Sequence, residues 1–160
     1  MLFVVAAVGR LKDDAEKTLE ERYASRINDA GRRLSFGPVA IHTEIEGRAG
    51  DLATRKADEG QRLLAASEAS DWRVVLDETG RQMGSTDFAK MLQGRRDQGV
   101  RSMAFLIGGP DGHAPATRSA ANLLLSLSPM TLPHGLARVV LLEQIYRAIT
   151  IIGGHPYHRG

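Results

Sequence analysis

Three stretches of this chain carry residue types and spacings that could do chemistry. The first is Gly108-Gly109-Pro110-Asp111-Gly112, followed by His113. Glycines in such a run permit positive φ and let a ligand approach the backbone. The run is neither a dinucleotide fingerprint nor a Walker loop, and a plain tight turn accounts for it equally well. The second is Ser126–His134, SLSPMTLPH. Its backbone amides and carbonyls could read an adenine edge while Leu127, Met130 and Leu132 pack on the ring. An ordinary structured connection is the alternative. The third is His155-Pro156-Tyr157-His158-Arg159, which offers a ring, an imidazole and a guanidinium. Those groups suit an unpaired RNA base and its phosphates. Chain ends also fray commonly, which is the competing expectation.

Other chemistries find no support. The chain has no cysteine, which excludes disulfides, zinc–thiolate sites and a cysteine nucleophile. The histidine spacing matches no metal motif and no carboxylate cluster accompanies it, so no metal site is expected. No GxSxG elbow is present.

These stretches need elements to position them, and hydropathy supplies candidates. Leu2–Val8 is a continuous apolar run ending at Gly9, a buried strand. Asp13 and Asp14 open a helix running to Ala30 and stopping at Gly31. Val39–Ile45 alternates as a half-buried strand, and Leu52–Ala66 is helical. Arg73–Leu76 is a short strand ending in Asp77, with a loop around Gly80. Ser85 is placed to N-cap a helix to about Gln98. Ser102–Ile107 is a strand broken by Gly108-Gly109-Pro110. Pro115–Asn122 is a short helix and Leu123–Leu127 the last strand.

Strands alternating with helices imply an α/β domain, its sheet mostly parallel and covered on both faces. Its 160 residues suit a single domain, 1–160. In open parallel sheets ligands sit beyond the carboxyl ends of strands. Leu76–Gly80, Gly108–His113 and Leu127–His134 all fall there. The last helix, Leu136–Ile152, is apolar on more than one side, which suits either a core helix or one covered by a second subunit. Glu143 and Arg147 are spaced for an i, i+4 ion pair.

Net charge is +2, but it is unevenly spread. From Val100 onward five arginines face two acids, leaving one net negative charge for the first 99 residues. A basic C-terminal section suits a polyanionic partner, or is ordinary surface charge. The apolar start is too brief for a membrane span or leader, so a cytoplasmic protein is expected.

Taken in order, LDETG (76–80), FLIGGPDG (105–112), LSLSPMTLPH (125–134), RVVLLEQIYRA (138–148) and HPYHR (155–159) resemble the ribosomal RNA large-subunit methyltransferase H family, with EGQRLL (59–64) in agreement. The resemblance spans the chain without gaps. It implies a SPOUT-type α/β knot, with a C-terminal trefoil knot that pattern reasoning would never propose. It implies a homodimer that uses S-adenosyl-L-methionine to methylate N3 of a pseudouridine in helix 69 of 23S rRNA, within the assembled ribosome. Carried over by position, the cofactor contacts fall on Leu76, Gly108, Leu127, Ser128, Pro129, Met130, Thr131 and Leu132. Tyr157, His158 and Arg159 correspond to the RNA-facing end, with His158 and Arg159 as the candidate catalytic pair. His113 has no assigned role. Three rivals stand beside this: a ribosome-binding module without activity, a tRNA methyltransferase of the same class, and a phosphate-binding hydrolase. The last lacks its Walker loop and metal carboxylates.

Overall fold

A computed structural model of the chain describes residues 1–157. Five strands form one all-parallel sheet: β1 (Leu2–Val8), β2 (Val39–Glu44), β3 (Trp72–Gln82), β4 (Ser102–Ile107) and β5 (Leu123–Ser126). Their order is β2-β1-β4-β3-β5. Helices α1 (Asp14–Gly31), α2 (Leu52–Ala66), α3 (Ser85–Asp97), α4 (Pro115–Ser119) and α5 (His134–Ile152) connect and cover them.

Strand alternation sorts the core into two layers. Phe3, Val5, Ala7, Val74, Met103, Phe105 and Ile107 face α1, α3 and α5, represented there by Ile27, Phe88, Leu92, Leu141 and Ile145. Ala6, Val8, Val75, Ala104 and Leu106 face the other way, against Leu63 of α2. The aromatic residues fill the deeper, three-helix side, and smaller ones the shallower side. Gly60 lets α2 approach α4 closely, since a Cβ there would strike the Thr117 hydroxyl.

Local chemistry explains most boundaries. Asp13 caps α1 by accepting from the Ala15 N–H at 2.6 Å, and Asp51 caps α2 from Thr54 at 2.8 Å. Gly31 does close α1, but its φ is ordinary. Glycine is needed because a Cβ would lie 2.5 Å from the Phe36 carbonyl oxygen.

Four expectations need correction. β3 does not stop at Asp77. It runs on to Gln82 with an irregularity, so Leu125 is the register partner of both Leu76 and Arg81. The acidic and glycine residues that suggested a loop are the bulged part of a strand. Ser85 is not the cap of α3. Gly84 holds that position, and the Ser85 Oγ donates to Gln144 Oε1 of α5 at 2.7 Å. α4 ends at Ser119, three residues early, and α5 begins at His134. Of the two readings of α5, the core helix agrees with the structure, since its cover comes from inside the chain. Leu141, Leu142, Ile145, Ala148 and Ile149 are fully buried among α1, α3 and the sheet. Only Leu136 of its large apolar residues is exposed, so α5 alone does not require a second subunit.

Candidate active site

Because the sheet is all parallel, the ends of β3, β4 and β5 open at one edge. A cavity of about 780 Å³ lies there, within the usual range for small-molecule sites. Leu76, Ile107 and Leu125 form its floor, and the glycine turn and the loop after β5 form its walls. Leu76, Gly108, Leu127, Ser128, Met130, Thr131 and Leu132 all line it. Pro129 does not. It lines a smaller neighbouring recess with Gln82, Met83 and Gly84, which shares Ser126, Leu127 and Ser128 with the main cavity.

The loop after β5 is organised by its serines. The Ser126 hydroxyl donates to the Ser128 carbonyl at 2.9 Å, and the Met130 N–H donates to Ser128 Oγ at 2.9 Å. The Met130 amide is therefore used internally, and Pro129 has none. Donors toward a ligand must come from other positions of the loop. Met130 is 76% exposed, an apolar side chain at the mouth of the cavity.

Charged groups to which the sequence assigned no role also line the cavity. Asp77 Oδ2 meets Arg118 Nη1 at 2.5 Å, and Asp77 Oδ1 accepts from the Thr79 N–H and hydroxyl at 2.9 and 2.7 Å. Burial pushes the Asp77 carboxyl up, but the Thr79 bonds and Arg118 outweigh it and hold it below the usual range. Asp77 is thus an ionised, fully engaged group and a poor proton acceptor. Asp111 pairs with Arg55 at 2.8 Å, which fastens the glycine turn to α2. Asp77 and His113 lie within the strand-end stretches picked from sequence. Arg118 comes from the short helix α4, which was expected from the sequence, but nothing local marked its side chain for the site.

His113 is buried, and its Nε2 has no hydrogen-bond partner. Its pKa is lowered by burial, offset in part by Asp77 and the Leu76 backbone. Apolar walls and a glycine with no side chain to fill the cradle fit an adenosine-bearing cofactor. Among the described residues no group of three or more potential metal ligands occurs. No helix among them is long and apolar enough to cross a membrane.

Tyr157 lies elsewhere. Its hydroxyl donates to Glu143 Oε1 at 3.1 Å, and its ring meets Tyr146 edge-on at 4.8 Å. The Arg147 guanidinium sits 4.9 Å from the same ring and pairs with Glu143 at 2.6 Å. Burial, then Tyr23 and Glu143, push the phenol pKa up. Glu143 to Arg147 lie roughly 13–20 Å along α5 from His134 at the cavity. The chain's own cavity and Tyr157 are therefore not brought together. His158 and Arg159 lie outside the described residues.

A family model described as predicted SPOUT methyltransferase matches residues 1–158. The chain belongs to the SPOUT methyltransferase family. Within it, the chain is 48% identical over 159 residues to the ribosomal RNA large subunit methyltransferase H of Xanthobacter autotrophicus, covering 99% of each. Proteins of the same name from Rhodopseudomonas palustris and a Bradyrhizobium species are 46% and 47% identical over the same length, covering 99% of this chain and 99% and 98% of theirs. The chain thus belongs to that methyltransferase H family. Solved structures agree on the fold. A methylase family protein from Haemophilus influenzae superposes with a TM-score of 0.54 at 7% identity, covering 99% of this chain and 70% of that one. A protein described as a methyltransferase from Legionella pneumophila, solved with the cofactor SAM bound, gives 0.50 at 14%, covering 92% and 66%.

Proposed function

We propose that this chain is an S-adenosyl-L-methionine-dependent ribosomal RNA methyltransferase that acts on N3 of a pseudouridine in helix 69 of 23S rRNA, in the assembled ribosome. One observation carries the proposal. Three segments far apart in sequence, around Leu76, Gly108 and Leu127–Leu132, converge on a single cavity in a chain whose full-length relatives bear that enzyme's name.

The bound cofactor supplies an electrophilic methyl group on a sulfonium, so the protein's task is positioning. Leu76, Leu127 and Leu132 give the cofactor apolar walls, Gly108 gives it close approach to backbone, and Met130 covers the mouth. Ser128, Pro129 and Thr131 complete the cofactor-contacting loop. The attacking imide nitrogen must lose a proton, and His158 accepts it. Arg159 stabilises the charge that develops on the flanking carbonyl oxygens. Tyr157 stays a neutral phenol at physiological pH, since its pKa is raised, and serves as a stacking ring.

The distance between Tyr157 and its own cavity favours a homodimer, in which the tail of one copy serves the cavity of the other. The chain forms a single domain, 1–160, in the cytoplasm, its C-terminal part threaded as a trefoil knot.

The test is methyl transfer from labelled cofactor to intact ribosomes, free 23S rRNA and tRNA. Label in 23S rRNA from intact ribosomes is expected. Label in tRNA would move the substrate, and no label with intact ribosome binding would make the chain a binding module. Normal turnover of His158→Ala would remove His158 from the chemistry. Unchanged rate and RNA affinity of Arg159→Ala would do the same for Arg159.

A further inference from the structure

Most charged groups of the cavity wall can be paired off. Asp77 is held by Arg118 and Thr79, and Asp111 by Arg55. Two charges remain. Lys56 and Glu78 both line the cavity, and neither has an ion-pair partner among the described residues.

Lys56 is placed there by its neighbours on α2. Arg55 donates to Asp111 Oδ2 at 2.9 Å and to the Ala49 carbonyl at 3.1 Å, so the start of α2 is fastened to the glycine turn. Glu59, three residues further along, stands where a helical ion-pair partner of Lys56 would be. Its carboxylate is instead buried and accepts from the Gly47 N–H at 2.7 Å. Lys56 is therefore a half-buried lysine on the cavity wall with no carboxylate of its own.

The chemistry of the cofactor supplies the match. Its adenosine carries no charge and suits the apolar floor and the glycine cradle. Its amino-acid end carries one anion, a carboxylate, beside cationic groups. Taking a carboxylate out of water into a walled cavity is costly unless a cation meets it. Of the Lys and Arg side chains lining the cavity, Arg118 is already committed to Asp77, which leaves Lys56.

We propose that Lys56 binds the carboxylate of the cofactor's amino-acid end and so selects for the intact amino acid. This rests on the cofactor reading above.

The test is calorimetric titration of the full chain with S-adenosylhomocysteine and with its decarboxylated analogue, which keeps the adenosine, the sulfur and the amine. The parent should bind S-adenosylhomocysteine about tenfold more tightly than the analogue. Lys56→Met should lose that same factor of about ten for S-adenosylhomocysteine, with no loss for the analogue. Lys56→Arg keeps the charge and should stay within about threefold of the parent for both ligands. Equal affinity of the parent for the two ligands overturns the proposal, and that comparison needs no variant. Equal weakening of both ligands by Lys56→Met also overturns it, since the lysine would then be structural. So does a Lys56→Met protein that binds S-adenosylhomocysteine like the parent but binds ribosomes more weakly, which would assign the ammonium to an RNA phosphate. A parent that binds neither ligand overturns the cofactor reading itself, a result distinct from all of these.

Discussion

Substituting Gly80 by alanine tests how β3 and β5 build the floor of the cavity. Gly80 lies in the irregular stretch between Leu76 and Arg81, where both residues share Leu125 as register partner. An added Cβ would stand 2.6 Å from the Leu125 carbonyl carbon and 2.7 Å from the Leu124 carbonyl carbon and Leu125 nitrogen. That is about 1 Å short of an ordinary carbon contact. All three atoms are backbone, so no side chain can rotate away and the strands must separate. Overpacking costs about 1–3 kcal/mol, and a backbone clash belongs at the top of that span. At about 2–4 °C per kcal/mol for a chain of this size, Tm should fall by about 6–12 °C. β5 runs straight into Leu127–Leu132, and β3 supplies Leu76, so the same movement parts two walls of the cavity. Thermal unfolding by circular dichroism and titration with S-adenosylhomocysteine read the two effects. A Gly80→Ala protein within about 2 °C of the parent, with unchanged affinity, would refute the close strand contact.

Further predictions concern the buried ion pair, the buried histidine and the tail. Arg138 is 1% exposed and donates to Glu20 Oε2 at 3.0 Å, Thr43 Oγ1 at 3.1 Å and the Gly9 carbonyl at 2.7 Å. Arg138→Ala should therefore cost about 3–5 kcal/mol in urea unfolding at constant slope, by stranding Glu20 and Gly9. The folded-state pKa of His113 lies below its unfolded value because of burial. Its neutral form therefore contributes stability that is complete above about pH 6.5 and declines as pH falls toward the folded pKa. Denaturation from about pH 8 downward should show the parent losing ground to His113→Leu only below about pH 6.5. Removing Tyr157–Gly160 should spare S-adenosylhomocysteine binding and abolish methyl transfer to ribosomes. Loss of binding in that truncation would make the tail structural.

Much of the fold was legible because hydropathy and caps agree. Phe3, Val5 and Ala7 alternate with Ala6 and Val8, and Asp13 and Asp51 mark helix starts by chemistry that is local. The rule that ligands gather at strand carboxyl ends points to Leu76–Gly80, Gly108–His113 and Leu127–His134, and the three do meet. What failed was non-local. The β3 extension past Asp77 depends on pairing with β5, about 45 residues away, which no local pattern encodes. Arg118 entered the site through an ion pair across tertiary space, on a helix too short to show a period. The internal bonds of the loop after β5, from Ser126 to the Ser128 carbonyl and from the Met130 N–H to Ser128, were not legible either, because they depend on the loop's folded path. The doubly apolar α5 pointed to a subunit interface or a core helix, and the helices around it supply the second.

Mass mapping of modified nucleotides in 23S rRNA from cells lacking this chain, with and without its restoration, addresses the proposed activity most directly. Loss of one methyl group from a pseudouridine in helix 69, regained on restoration, is the expected result. A 23S rRNA modification pattern identical in the parent cells, the cells lacking this chain and the restored cells would contradict it.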